Sequence, residues 1–175
     1  MKVVFLDRDG TLCVDPPDRR IDTLEKIKLF PDSIEAMRYL AEHDFKVVII
    51  TNQASIAEGH LTENQFEIIN NKIVEVLSES GVIILRTYMS PHGSNEVNEW
   101  RKPGPGMLLM AGKDLNLELS NIYMVGDRLC DIQAGINAGT KTIMVKTGMD
   151  NEDAPQANYT APDLLSAVKY VVENS

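Results

Sequence analysis

Cysteine is scarce in this chain. Cys13 and Cys130 are the two in 175 residues, too few for a disulfide framework or a zinc set, so a reducing cytoplasm is the expected home. Both read as small buried or semi-buried side chains. Positive charge is also short: 17 Lys and Arg stand against 26 Asp and Glu. The resulting net charge of −9 argues against nonspecific nucleic-acid binding, which draws on a basic surface. It leaves room for a small anionic substrate, because local charge can oppose the global sign. No stretch approaches the roughly 18 apolar residues of a membrane span. The N-terminal apolar run is too short for a signal peptide, and Asp7 interrupts it. A P-loop signature, an internal repeat and a low-complexity tract are all missing.

What is present is an ordinary globular composition, 43% hydrophobic and 25% charged, at a length that suits one domain over residues 1–175. Apolar runs rich in Val and Ile occur at 2–6, 46–50, 83–89, 122–125 and 142–145. Most are continuous rather than alternating, as in strands buried on both faces. Amphipathic stretches lie between them. Asp32 or Ser33 caps an expected helix to about residue 43, and Thr62-Glu63-Asn64-Gln65 reads as a capping box for a longer one that Gly81 stops. Further helices fit 106–113, 130–138 and 162–173, with Met107 and Met110 spaced for one packing face. This alternation predicts a doubly wound, three-layer α/β/α, Rossmann-like domain with a mainly parallel sheet.

Ligands of such sheets bind at the carboxyl ends of the strands. The segments there read DRDGT, TNQ, SPH followed by RKPGPG, and GDRLCD. Asp7 and Asp9 pose the sharpest question, because like charges this close raise a carboxylate pKa unless something positive holds them. They form either a polar turn or a site for a cation, a phosphate or both. In the second case Asp7, Asp9 and Asp127 suit Mg²⁺, and Asp131 could orient them. An aspartate can also act as a nucleophile on phosphorus, with a second group moving the proton. Thr51, Asn52 and the Arg101-Lys102 pair are candidate donors to the phosphoryl oxygens.

Taken together, DRDGT, TNQ, RKPGPGM and GDRLCDIQAG resemble, in order, the four signature motifs of the haloacid dehalogenase (HAD) superfamily of aspartyl-phosphate phosphatases. The details TNQ, RKP and GDRxxDIxAG resemble the branch that contains the D-glycero-D-manno-heptose 1,7-bisphosphate phosphatases and the histidinol-phosphate phosphatases. The resemblance implies a HAD-like fold and a Mg²⁺-dependent phosphomonoesterase acting on a small phosphorylated metabolite, such as a sugar phosphate. Asp7 would be the nucleophile and Asp9 the general acid/base. Thr51 and Lys102 would hold the phosphoryl group, and Asn52 and Gln53 would shape its site. Mg²⁺ would sit on the Asp7 carboxylate, the Asp9 backbone carbonyl and Asp127. Arg101 and Arg128 would reach the rest of the substrate, with Asp131 in support. A local basic cluster of Arg8, Arg101, Lys102 and Arg128 would face the anion. The alternatives are a histidinol-phosphate phosphatase and, in another class, a non-catalytic phosphate-binding regulatory domain.

The chain departs from that branch in two ways, and from the family members with large caps in a third. Relatives often carry a zinc loop before RKP, whereas here Ser90, Asn98 and Trp100 stand where thiolates would be and only His92 remains, so no structural zinc is expected. Glu58 replaces a positive residue after TNQ. No long insertion separates the motifs, so no large cap is expected, and the loops over 13–26 and 90–105 would set specificity. The expected partner is thus a small phosphorylated metabolite, with no nucleic acid and no membrane, bound by a monomer or small homo-oligomer.

Overall fold

The computed structural model describes residues 1–150 and 153–175. Among these, the apolar runs become β1 (Lys2–Leu6), β2 (Phe45–Asn52), β3 (Ile83–Ser90), β4 (Tyr123–Gly126) and β5 (Lys141–Val145). A sixth strand, β6 (Tyr159–Ala161), was not expected, since three residues give no readable pattern. The sheet runs β3-β2-β1-β4-β5-β6, and every neighbouring pair is parallel. Parallel neighbours cannot be joined by tight turns, so helices carry the chain back. These are α1 (Ser33–Glu42), a single turn α2 (Ala54–Ala57), α3 (Glu63–Ser78), α4 (Gly106–Asp114), α5 (Leu129–Ala138) and α6 (Leu164–Glu173).

The two sheet faces have separate cores. Val4, Leu6, Val47, Ile49 and Val125 pack with Met37 and Leu40 of α1, Ile69 and Ile73 of α3, and Leu164 and Val168 of α6. Val3, Phe5, Val48, Ile50 and Met124 pack on the other face with Met107 and Leu108 of α4 and Ala134 of α5. Successive strand residues point to opposite faces, so a strand covered on both must be apolar throughout. β3 departs from this rule. It is an edge strand, and its first residue Ile83 is 54% exposed. Met110 departs as well: Met107 enters the core, while Met110 stays on the solvent side of α4.

Local signals at the helix ends form as read, with one change. The Thr62 Oγ1 accepts from the Gln65 N–H at 3.2 Å, and the Gln65 Oε1 accepts from the Thr62 N–H at 2.9 Å. Asp32 occupies the N-cap position of α1, but its side chain makes no cap bond and accepts instead from the Leu165 N–H at 3.0 Å, tying α1 to α6. The strand order reverses between β1 and β4, which opens a crevice beyond their carboxyl ends. No domain-sized insertion lies over that crevice among the described residues. No described helix is long and apolar enough to cross a membrane.

Candidate active site

Asp7 follows the last residue of β1, and its N–H donates to the Val125 carbonyl of β4 at 2.9 Å. Asp127 follows β4, and Asp131 lies in the first turn of α5. Oxygens of these three buried carboxylates lie within 4.8 Å of one another. Small residues make the approach possible. Gly10 has φ +85°, and a side chain there would overlap the Asp127 carboxylate; one at Gly126 would overlap that of Asp131.

One buried cation joins two of the three carboxylates. Lys102 Nζ donates to Asp7 Oδ1 at 2.7 Å and to the Ile50 carbonyl at 2.7 Å, and lies 2.6 Å from Asp131 Oδ1. Burial works against the ammonium charge, but Asp131 and Asp7 overcome it and hold its pKa above that of an ordinary lysine. The carboxylates are pushed the other way. Burial first, with Asp131 adding and Lys102 opposing, raises Asp7 to about 7. Burial, then Asp7 and Asp131, raises Asp127 to about 9. The Thr11 hydroxyl donates to Asp127 Oδ1 at 3.2 Å, whereas the buried Oδ2 takes no hydrogen bond from any described residue. Oδ2 does lie 3.8 Å from Arg128 Nε. Hard oxygens converging from two strand ends, one of them without a hydrogen bond, fit a divalent cation such as Mg²⁺.

The TNQ segment works mainly on the protein itself. Asn52 pairs twice with the Lys102 backbone, donating to its carbonyl at 3.0 Å and accepting from its N–H at 3.1 Å. Gln53 Nε2 donates to Thr51 Oγ1 at 2.9 Å and to Asp9 Oδ2 at 2.8 Å. Thr51 itself is almost fully buried at the end of β2. The loop that carries Lys102 is pinned by hydrogen bonds. The Trp100 indole N–H donates to the Met89 carbonyl at 2.9 Å, Glu96 accepts from the Gly93 N–H at 2.9 Å and lies 3.1 Å from His92 Nδ1, and Arg101 donates to the His92 carbonyl at 2.9 Å.

These groups border a cavity of about 240 Å³. Asp7, Asp9, Thr51, Asn52, Gln53, Arg101, Lys102, Arg128 and Asp131 all line it, and Asp127 sits just outside. Arg8 is not part of that lining. The cationic cluster expected at the anion loses this member, because its side chain is fully buried and turned onto Asp9. The rim is formed by Asp15, Asp18, Arg19, Arg20, Glu58 and Ser94. Two braces there were not visible in the sequence. Asp150 receives a fork of hydrogen bonds from Arg19 at 2.6 and 3.0 Å, and Asp15 accepts from Arg128 at 3.3 Å. Each partner is more than a hundred residues away, with no local pattern to link them.

A family model described as HAD-hydrolase-like matches residues 99–169. The D-glycero-β-D-manno-heptose-1,7-bisphosphate 7-phosphatase of Pasteurella multocida is 35% identical, over 97% of this chain and 96% of its own. The histidine biosynthesis bifunctional protein HisB of Spirosoma linguale is 36% identical over 82% of this chain, but over only 38% of that longer protein. The chain belongs to the HAD superfamily of phosphatases, in the branch of the heptose-bisphosphate and histidinol-phosphate phosphatases. One particular solved structure that it resembles over its whole length is the D,D-heptose 1,7-bisphosphate phosphatase from B. bronchiseptica, complexed with magnesium and phosphate. That similarity has a TM-score of 0.91 at 28% identity, covering 100% of both chains.

Proposed function

We propose that this phosphatase hydrolyses a phosphorylated sugar of the D-glycero-D-manno-heptose 1,7-bisphosphate kind by way of an aspartyl-phosphate on Asp7. The observation that carries the reading is the Lys102 ammonium between Asp7 and Asp131, which fixes one carboxylate oxygen of Asp7 at the cavity wall with Asp9 facing the same space. Asp7 attacks phosphorus, the ester P–O bond breaks, and Asp9 gives a proton to the departing oxygen. A water then attacks the phosphorus of the intermediate and gives a proton to Asp9, and the P–O bond to Asp7 breaks to release phosphate. Lys102 and Thr51 take up charge on the phosphoryl oxygens, where positioned donors matter most. Arg101 and Arg128 meet the remainder of the substrate. Asp131 holds Lys102 and accepts from the Arg128 N–H at 3.0 Å.

The Asp7 carboxylate, the Asp9 carbonyl and Asp127 would hold Mg²⁺. When bound, it supplies positive charge against the clustered carboxylates and the transferring phosphoryl group. The 90–105 loop is read as free of zinc, since the Trp100, Asn98 and Glu96 hydrogen bonds tie it without metal. The chain is read as one cytoplasmic domain, a monomer or small homo-oligomer that acts on a small metabolite and binds neither nucleic acid nor membrane.

Two assays test this. Asp7→Asn is expected to abolish turnover of p-nitrophenyl phosphate with the fold retained by circular dichroism, and undiminished activity would remove Asp7 from the mechanism. A panel of phosphorylated metabolites is expected to give the highest kcat/KM on the heptose bisphosphate. A higher value on histidinol phosphate would overturn the substrate assignment and leave the chemistry standing.

A further inference from the structure

Arg8 lies between the two strand-end aspartates, outside the lining of the cavity. Its side chain is fully buried, a costly place for a guanidinium unless it is paired. Nε lies 2.8 Å from Asp9 Oδ1 and the second terminal nitrogen 2.8 Å from Asp9 Oδ2, a two-pronged fork onto the neighbouring residue. The backbone makes this possible. The N–H groups of Leu12 and Cys13 both donate to the Arg8 carbonyl, at 2.9 and 2.8 Å, so the chain turns back sharply there. Phe66 of α3 covers the guanidinium, 5.2 Å from its ring centre. Asp9 itself borders the cavity and remains 21% exposed. Gln53 adds a third donor on the same carboxylate.

Charge balance alone would not require this geometry. Lys102 is taken up by Asp7 and Asp131 rather than Asp9, and any buried cation beside Asp9 would balance its charge. A fork fixes both the position and the plane of a carboxylate, which a point charge does not. We propose that Arg8 is a positioning residue that holds the Asp9 carboxyl group from behind, aimed across the cavity at the leaving oxygen, and so sets how well the enzyme cleaves esters of weakly acidic alcohols. This rests on the acid–base reading of Asp9 above. As Asp7 attacks phosphorus and the P–O ester bond breaks, its electron pair goes to the leaving oxygen, which takes the Asp9 proton. Oδ2 accepts from both Arg8 and Gln53, so the proton sits on the remaining lone pair of Oδ1 while the fork stays in place. A dinitrophenolate departs without help, whereas a sugar or alkyl alkoxide does not.

The test is kcat/KM, which covers steps up to the first irreversible transfer, over a series from dinitrophenyl phosphate through aryl phosphates to an alkyl phosphate. Asp9→Asn is the control for the acid–base reading and is expected to lose most on the alkyl ester. Arg8→Met is expected to fall about 10- to 100-fold on the alkyl ester, the scale of a misplaced catalytic group, and by no more than about 3-fold on dinitrophenyl phosphate. Arg8→Lys keeps charge and length but not the fork, and is expected to steepen the same dependence less. If Arg8→Met does not fold, Arg8→Lys decides. A loss equal across the series in the Arg8 variants, with a graded loss in Asp9→Asn, would make Arg8 structural only and overturn the proposal. An equal loss in Asp9→Asn would instead overturn the acid role of Asp9.

Discussion

The floor and the rim of this cavity are built from the same few residue types under opposite conditions. On the floor, Asp7, Lys102, Asp127 and Asp131 are at most 6% exposed. On the rim, the Arg19–Asp150 pair has side chains 46% and 30% exposed. Water cannot compensate a charge on the floor, so each group there depends on its protein partners. At the rim water screens this pair, and its members can move to meet a ligand. Groups on the floor therefore sit where substitution is least tolerated, and exposed groups on the rim sit where it is tolerated best.

Lys102→Met should give the largest effect, because it leaves Asp7 and Asp131 facing one another without their cation. Turnover is expected to vanish, and urea unfolding without Mg²⁺ is expected to report a loss of about 3–5 kcal/mol. Adding Asp131→Asn should restore part of that stability and none of the turnover. Recovery of activity in the double variant would break the distinction between floor and rim.

Metal removal comes next. Asp7 and Asp127 bind protons more tightly in the fold than in the unfolded chain, their values being raised to about 7 and about 9. Their contribution to stability is therefore fully present below the ordinary carboxylate pKa and is lost as pH rises through these values. With EDTA, the melting temperature is expected to fall from about pH 5 to about pH 9. The rise produced by added Mg²⁺ should grow over the same range, because a cation stabilises the charged forms. A Mg²⁺ effect independent of pH would mean that these carboxylates do not hold it.

Arg19→Ala should give the smallest change. The pair is largely solvated, so unfolding should shift by no more than about 0.5 kcal/mol. Turnover of p-nitrophenyl phosphate should stay unchanged while KM for a sugar bisphosphate rises severalfold. A fall in kcat on the small substrate would place Arg19 with the floor.

The same contrast explains what could be read from the chain. Five strands and the convergence of DRDGT, TNQ, RKPGPG and GDRLCD were legible, because buried parallel strands are apolar without interruption and ligand loops follow their carboxyl ends. The three residues of β6 carried too little pattern. Met110 was misassigned because i, i+3 spacing marks a face without saying how wide its burial is. Arg8 was expected to face the anion, since strand alternation gives no guidance once the chain turns after Leu6. Asn52 and Gln53 were recognisable as site residues, but their amides turned out to bind Lys102, Thr51 and Asp9. The Asp150 and Asp15 braces depend on tertiary geometry alone.

The central claim is that Asp7 carries the phosphoryl group, and acid-quenched mass analysis of the protein during turnover tests it most directly. The peptide containing Asp7 is expected to gain one phosphoryl group in the active protein and none in Asp7→Asn, which should release no phosphate. Steady phosphate release by Asp7→Asn, or a phosphoryl group trapped on a different residue, would contradict it.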